Sequence, residues 1–201
     1  MKYLCLFPLL IIGINFSSKA QYLMERKKLT DVIKFEADQN SENLGFRKMK
    51  VSRDFFHGAD DKVDYYPLTF KRIKDTFKPQ CKVEYYYSTK DSVINAIVYD
   101  WNIMDEITNL NVDGKKFEQQ VPRKDEYIKQ YNAIKAEIIK LLGDPTKSPE
   151  ISQNTALISG KTDWSLKDKD VTLTLIFTPQ LQTVGTFKVG SYRIRLETDW
   201  K

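Results

Sequence analysis

The sequence predicts an α+β fold built on an antiparallel sheet, and three observations carry that prediction. Val171–Phe177 and Tyr192–Trp200 alternate apolar and polar residues with period two, as strands do when one face is packed and the other is wet. Lys82–Tyr87 and Val93–Tyr99, rich in β-branched and aromatic residues, flank the polar turn Ser88–Ser92 and read as a hairpin. Tyr127, Tyr131, Ile134, Ile138 and Leu141 form an apolar stripe at spacings of three and four, the signature of an amphipathic helix lying on a sheet. The expected architecture is an antiparallel sheet with one face packed by amphipathic helices and the other solvent-facing.

The chain starts with Met1-Lys2-Tyr3, runs apolar from Leu4 to Ile14, and then reads Asn15-Phe16-Ser17-Ser18-Lys19-Ala20. A basic start, a short apolar run and small residues at Ser18 and Ala20 predict a signal peptide over residues 1–20, cut after Ala20. The eleven-residue run is too short to span a bilayer. Residues 21–201 are then expected to form a single α+β domain. A recurring Asp-Trp pair (Asp100-Trp101, Asp163-Trp164, Asp199-Trp200) hints at two similar lobes joined by 102–124. Two residues are too few to establish a repeat.

Cleavage changes the arithmetic. Of two Cys in 201 residues, Cys5 leaves with the signal and Cys81 remains, so no internal disulfide is expected. Cys81 reads as a small buried hydrophobe in a strand. Losing Lys2 and Lys19 lowers the net charge from +5 to +3, which with export argues against a nucleic-acid partner. No second apolar stretch of spanning length follows, so no stable transmembrane segment is expected.

The remaining elements follow in order. Leu29, Val32, Ile33 and Ala37 predict a helix over 28–43, with Gly45 as its stop. Phe46–Val51 reads as a strand, residues 57–67 as a loop, and Leu68–Phe77 as a short helix ended by Pro79. The segment 102–124 is a polar connector. The helix beginning near Asp125 is capped by that residue and closed by Gly143, with Pro145 beyond. Pro179–Gly185 joins the last two strands.

No catalytic constellation is recognisable. His57, the single histidine, lies near Asp60, Asp61 and Asp64, but the spacing matches no established metal-ligand pattern. Asn109–Gly114 resembles the start of a calcium-binding loop, yet Asn109 and Gln120 occupy positions that need carboxylates. It reads as a turn. No Gly-x-Ser-x-Gly elbow or phosphate-binding glycine loop occurs, and no metal or cofactor is expected.

The candidate ligand-binding residues are Tyr86, facing away from Tyr85 and Tyr87, with Arg193 and Arg195 if the two hairpins share a sheet. Exposed Tyr beside Arg suits a partner's carboxylates, a peptide or a glycan. The competing reading makes the aromatics core and the charged face an ordinary soluble surface.

The amphipathic helix ending Leu141-Leu142-Gly143-Asp144-Pro145-Thr146, then Trp164, then a two-strand finish, resembles small exported α+β proteins of bacterial envelopes across residues 125–201. The resemblance implies location and architecture and carries no catalytic residue. The expectation is thus a periplasmic or secreted, non-catalytic binding protein with an envelope protein, peptide or glycan as ligand. The alternatives are a small hydrolase using a carboxylate pair and a periplasmic inhibitor or assembly factor.

Overall fold

The computed structural model describes residues 21–46, 67–109 and 113–201. The expected signal peptide, His57 with its neighbouring aspartates, and all but Phe46 of the strand expected over Phe46–Val51 lie outside these residues.

Helix α1 (Leu29–Asp38) and strands β1 (Glu42–Phe46), β2 (Leu68–Lys71), β3 (Cys81–Tyr87) and β4 (Ile94–Asn102) form the first part. A 3-10 turn at Ile103–Glu106 follows, then α2 (Lys115–Gln120), a 3-10 turn at Val121–Arg123, and α3 (Lys124–Leu142). The last part contains β5 (Ser152–Gln153), β6 (Ile158–Ser165), β7 (Lys169–Phe177), β8 (Gln182–Val184), β9 (Phe187–Val189) and β10 (Tyr192–Trp200). Eight strands make one antiparallel sheet in the order β1-β2-β3-β4-β10-β7-β6-β5, while β8 and β9 pair separately. The fold is α+β.

Register explains where the core sits. Phe70, Val83, Tyr99, Leu196, Leu173 and Thr162 are successive cross-strand partners across six strands. A neighbouring row runs Cys81, Trp101, Ile194, Leu175 and Gly160. Every residue of these two rows is buried. All three Asp-Trp pairs lie on strands, and period two sends each tryptophan to the buried face.

Helix α3 buries Tyr127, Tyr131, Ile134 and Ile138, whereas Leu141, the last residue of the expected stripe, is 46% exposed. Tyr127 packs edge-on against Phe177 at 5.3 Å between centroids, and the Tyr131 hydroxyl bonds Thr162 Oγ1 at 2.7 Å. A Cβ on Gly160 would sit 3.2 Å from the Tyr131 ring, so glycine lets the ring lie close against the strand without displacement. The helix ends at Gly143, whose φ of 85° favours glycine, and the Gly143 carbonyl accepts from the Trp164 indole N–H at 3.0 Å.

Several local expectations need correction. Helix α1 stops at Asp38, turned by Asn40 at φ 55°, so Gly45 lies inside β1 and ends no helix. Leu68–Lys71 is a strand, because pairing with β1 and β3 outweighs a weak local helical period. Asp125 sits in the first turn of α3 without capping it, since the preceding 3-10 turn runs straight into the helix. The 102–124 connector contains α2 and both 3-10 turns.

Candidate functional site

The face opposite the core carries the charges. Glu42, Lys71, Lys82, Asp100, Arg195, Thr174 and Lys161 are successive cross-strand partners along one row. Adjacent rows add Arg193 and Asn102 on one side, and Glu84, Val98 and Glu197 on the other. Tyr86, Arg193 and Arg195 therefore share one face of one sheet.

Their environments differ from the expectation. Tyr86 is 1% exposed, and its hydroxyl donates to Glu84 Oε2 at 3.1 Å. Ring burial is favourable, and the carboxylate supplies the partner that a buried phenol needs. Burial first, then the Glu84 charge, pushes the Tyr86 pKa well up, so the phenol stays protonated. Tyr86 is thus no exposed stacking platform. Glu84, Ala96 and Val98 are buried beside it, so this face is not uniformly wet.

Arg193 grips Asp100 with two hydrogen bonds, from Nε at 2.7 Å and Nη2 at 2.6 Å. Asp100 is 4% exposed. The fork is a charge-assisted bidentate pair, which fixes the guanidinium in place. Arg195 pairs with Glu197 at 3.2 Å. Both arginines lie half-buried on the face, committed to neighbouring carboxylates.

The row opens into a groove at its β1 end. A cavity of about 460 Å³ lies among Leu44, Met104 and Ile107 on the apolar side and Glu42, Lys71, Lys82, Gln80, Asp105 and Glu106 on the polar side. The 3-10 turn after β4 places Met104 and Asp105, with Asn102 Oδ1 accepting from the Met104 N–H to start the turn. Lys82 Nζ holds Asp105 at 2.7 Å, and Glu106 accepts from the Gln80 backbone N–H at 3.3 Å. Both carboxylates are thereby engaged by protein donors, which suits a fixed wall better than a proton shuttle. Glu42 and Lys71 are directly opposed, yet neither has an ion-pair partner within 4 Å among the described residues. Leu44 and Met104 are about half exposed, at 47% and 52%. Such a groove can take an extended chain carrying both apolar and charged side chains.

Sequence reasoning missed this groove. Its walls come from β1, β2, β3 and the turn after β4, and no local pattern brings Leu44 next to Met104.

The acid of the expected Asn109–Gly114 turn is held by protein donors. Asp113 accepts from the Thr108 N–H and hydroxyl and from the Asn109 N–H, and pairs with Lys116 at 3.1 Å. Those bonds hold its pKa far below the usual carboxylate value. Among the described residues, no group of three or more His, Cys, Asp or Glu could hold a metal ion. No helix among them is long and apolar enough to cross a membrane. No protein-family model matches the chain, and neither a curated protein nor a solved structure matches it significantly.

Proposed function

We propose that the chain is an exported, periplasmic or secreted, non-catalytic binding protein that receives an extended peptide segment of an envelope protein. On this reading the sheet face covered by α1 and α3 is structural. The opposite, charged face and the groove at its β1 end make the contact.

The observation that carries the proposal is the groove's mixed lining. Leu44, Met104 and Ile107 give apolar area, while the opposed Glu42 and Lys71 leave one charge of each sign for a ligand. Strand β1 is the outermost described strand on this side, so a peptide laid along the groove also lies beside a sheet edge. Arg193 and Arg195 extend the charged surface and shape it through their own pairs. An inhibitor or assembly factor would use the same surface.

The experiment is site-specific photo-crosslinking from Met104 in the exported protein, followed by mass spectrometry of the captured chain. A single crosslinked species should appear and be lost in Leu44→Asp and Lys71→Glu. It should persist in Val184→Asp, on the exposed β8–β9 hairpin. A crosslink unaffected by Leu44→Asp and Lys71→Glu would place binding elsewhere.

A further inference from the structure

We infer that Gln21–Met24 is a built-in amino-terminal anchor, and that cutting the Ala20–Gln21 bond delivers the new α-ammonium into a pocket at the end of α1. The inference rests on the export reading for the cut itself, while the anchor stands on contacts in the folded chain.

Four residues are pinned from four directions. The Gln21 carbonyl accepts from Arg72 Nη1 at 2.5 Å. The Leu23 N–H donates to the Tyr99 hydroxyl at 2.8 Å. The Met24 carbonyl accepts from Lys169 Nζ, and Thr198 Oγ1 approaches Met24 Sδ at 3.8 Å. Tyr22 packs edge-on against Tyr99 at 5.2 Å and Trp101 at 6.4 Å. Tyr22, Leu23 and Met24 are 3%, 9% and 7% exposed. The segment thus joins β4, β7, β10 and Arg72, the residue after β2.

Beside Gln21 lies a cavity of about 300 Å³ lined by Asp38, Asn40, Arg72, Lys74 and Asp75. The carboxyl end of α1 brings the negative end of its dipole here. Asp38 and Asp75, the latter also accepting from the Trp101 indole N–H at 2.6 Å, stand against Lys74, and Glu36 balances Arg72 at 2.8 Å, so the charges here total one negative in excess. An ammonium fits this balance. Hydrolysis by an endopeptidase selective for small residues consumes one water, leaves the carboxylate on Ala20 and creates that ammonium on Gln21.

The test compares purified chains that begin at residue 21, carry Gly-Ser ahead of it, or begin at Glu25. A Gln21→Ala form keeps the backbone carbonyl and prevents cyclisation of the terminal glutamine. Its α-amine should be acylated at least about tenfold more slowly than that of a matching free peptide, and Asp38→Asn should restore much of the rate. The chain beginning at Glu25 should lose about 10 °C or more in Tm, or fail to fold. The Gly-Ser chain should fold with a Tm lower by a few degrees. Equal Tm for the Gln21 and Gly-Ser chains, with peptide-like acylation, would overturn the ammonium site. Equal Tm for the Gln21 and Glu25 chains would overturn the anchor. Mass spectrometry of the cellular protein separates the two readings. An intact Met1 overturns export and cleavage while the purified chains still decide the anchor, and a terminus beyond Met24 overturns both.

Discussion

Glu36 of α1 and Arg72, just after β2, form a 2.8 Å ion pair in the interior, with side-chain exposures of 0% and 6%. Tyr85 and Ser41 also donate to the same carboxylate. The guanidinium lies 4.9 Å over the Tyr99 ring and 5.7 Å from Phe35. One carboxylate thus ties α1, β3, the β2 end and, through Arg72, Gln21.

Removing one partner strands the other charge in a dry environment. Glu36→Gln is expected to cost about 3–5 kcal/mol in urea unfolding. Replacing both partners with Glu36→Leu and Arg72→Met should cost clearly less than the two single changes added together. A Glu36→Gln loss below about 1 kcal/mol would mean the pair behaves like a surface ion pair.

Arg193 offers a test of a site residue against a structural one. Its two bonds to Asp100 predict that Arg193→Ala destabilises the fold by about 1.5–3 kcal/mol, because Asp100 is left buried without its fork. Arg193→Lys should recover only part of this, since an ammonium cannot make the bidentate contact. Thermal unfolding reads both. Unchanged stability in Arg193→Ala would mean the arginine serves contact alone.

How much of this was legible follows residue by residue. Strands β7 and β10 read correctly because each alternates strictly between buried and half-buried positions. Strands β3 and β4 also read correctly as a hairpin, but their second face did not. The Tyr86 hydroxyl donates to Glu84 Oε2 and Lys82 Nζ lies 3.4 Å from Oε1, so a polar pair is buried where alternation implied water. Strand β6 escaped notice because its core positions include Gly160 and Thr162, chosen for the Tyr131 ring and hydroxyl and not for hydrophobicity. The arginines were found from local pattern. The groove was not, since it is made only when β1 reaches the turn after β4.

Cys81 sits at 0% exposure in β3, and burial pushes its thiol well above the ordinary value. The native protein is expected to react with a disulfide reagent only through opening of the sheet. Its rate should rise with urea in step with unfolding. Rapid labelling under native conditions would show that β3 opens locally.

Tyr192 yields a prediction in alkali and one at neutral pH. The residue is fully buried, and burial raises its phenol from an ordinary 10.0 to about 12; Tyr99 is likewise raised to about 12, chiefly by burial. Between these values the unfolded chain loses protons that the folded chain keeps. Fewer protons are then bound when unfolded, so stability falls as pH rises. The contribution is fully present below pH 10 and is lost as pH climbs through about 12. Urea midpoints should therefore hold steady up to about pH 9 and then decline. The Tyr192 hydroxyl also has no hydrogen-bond partner among the described residues, so Tyr192→Phe removes an unsatisfied polar atom while keeping the ring against Phe177 at 5.0 Å. That variant should be more stable at neutral pH by on the order of 1 kcal/mol and should lose less of its stability in alkali. A destabilised Tyr192→Phe would mean that the hydroxyl bonds an ordered water that the ring alone does not replace.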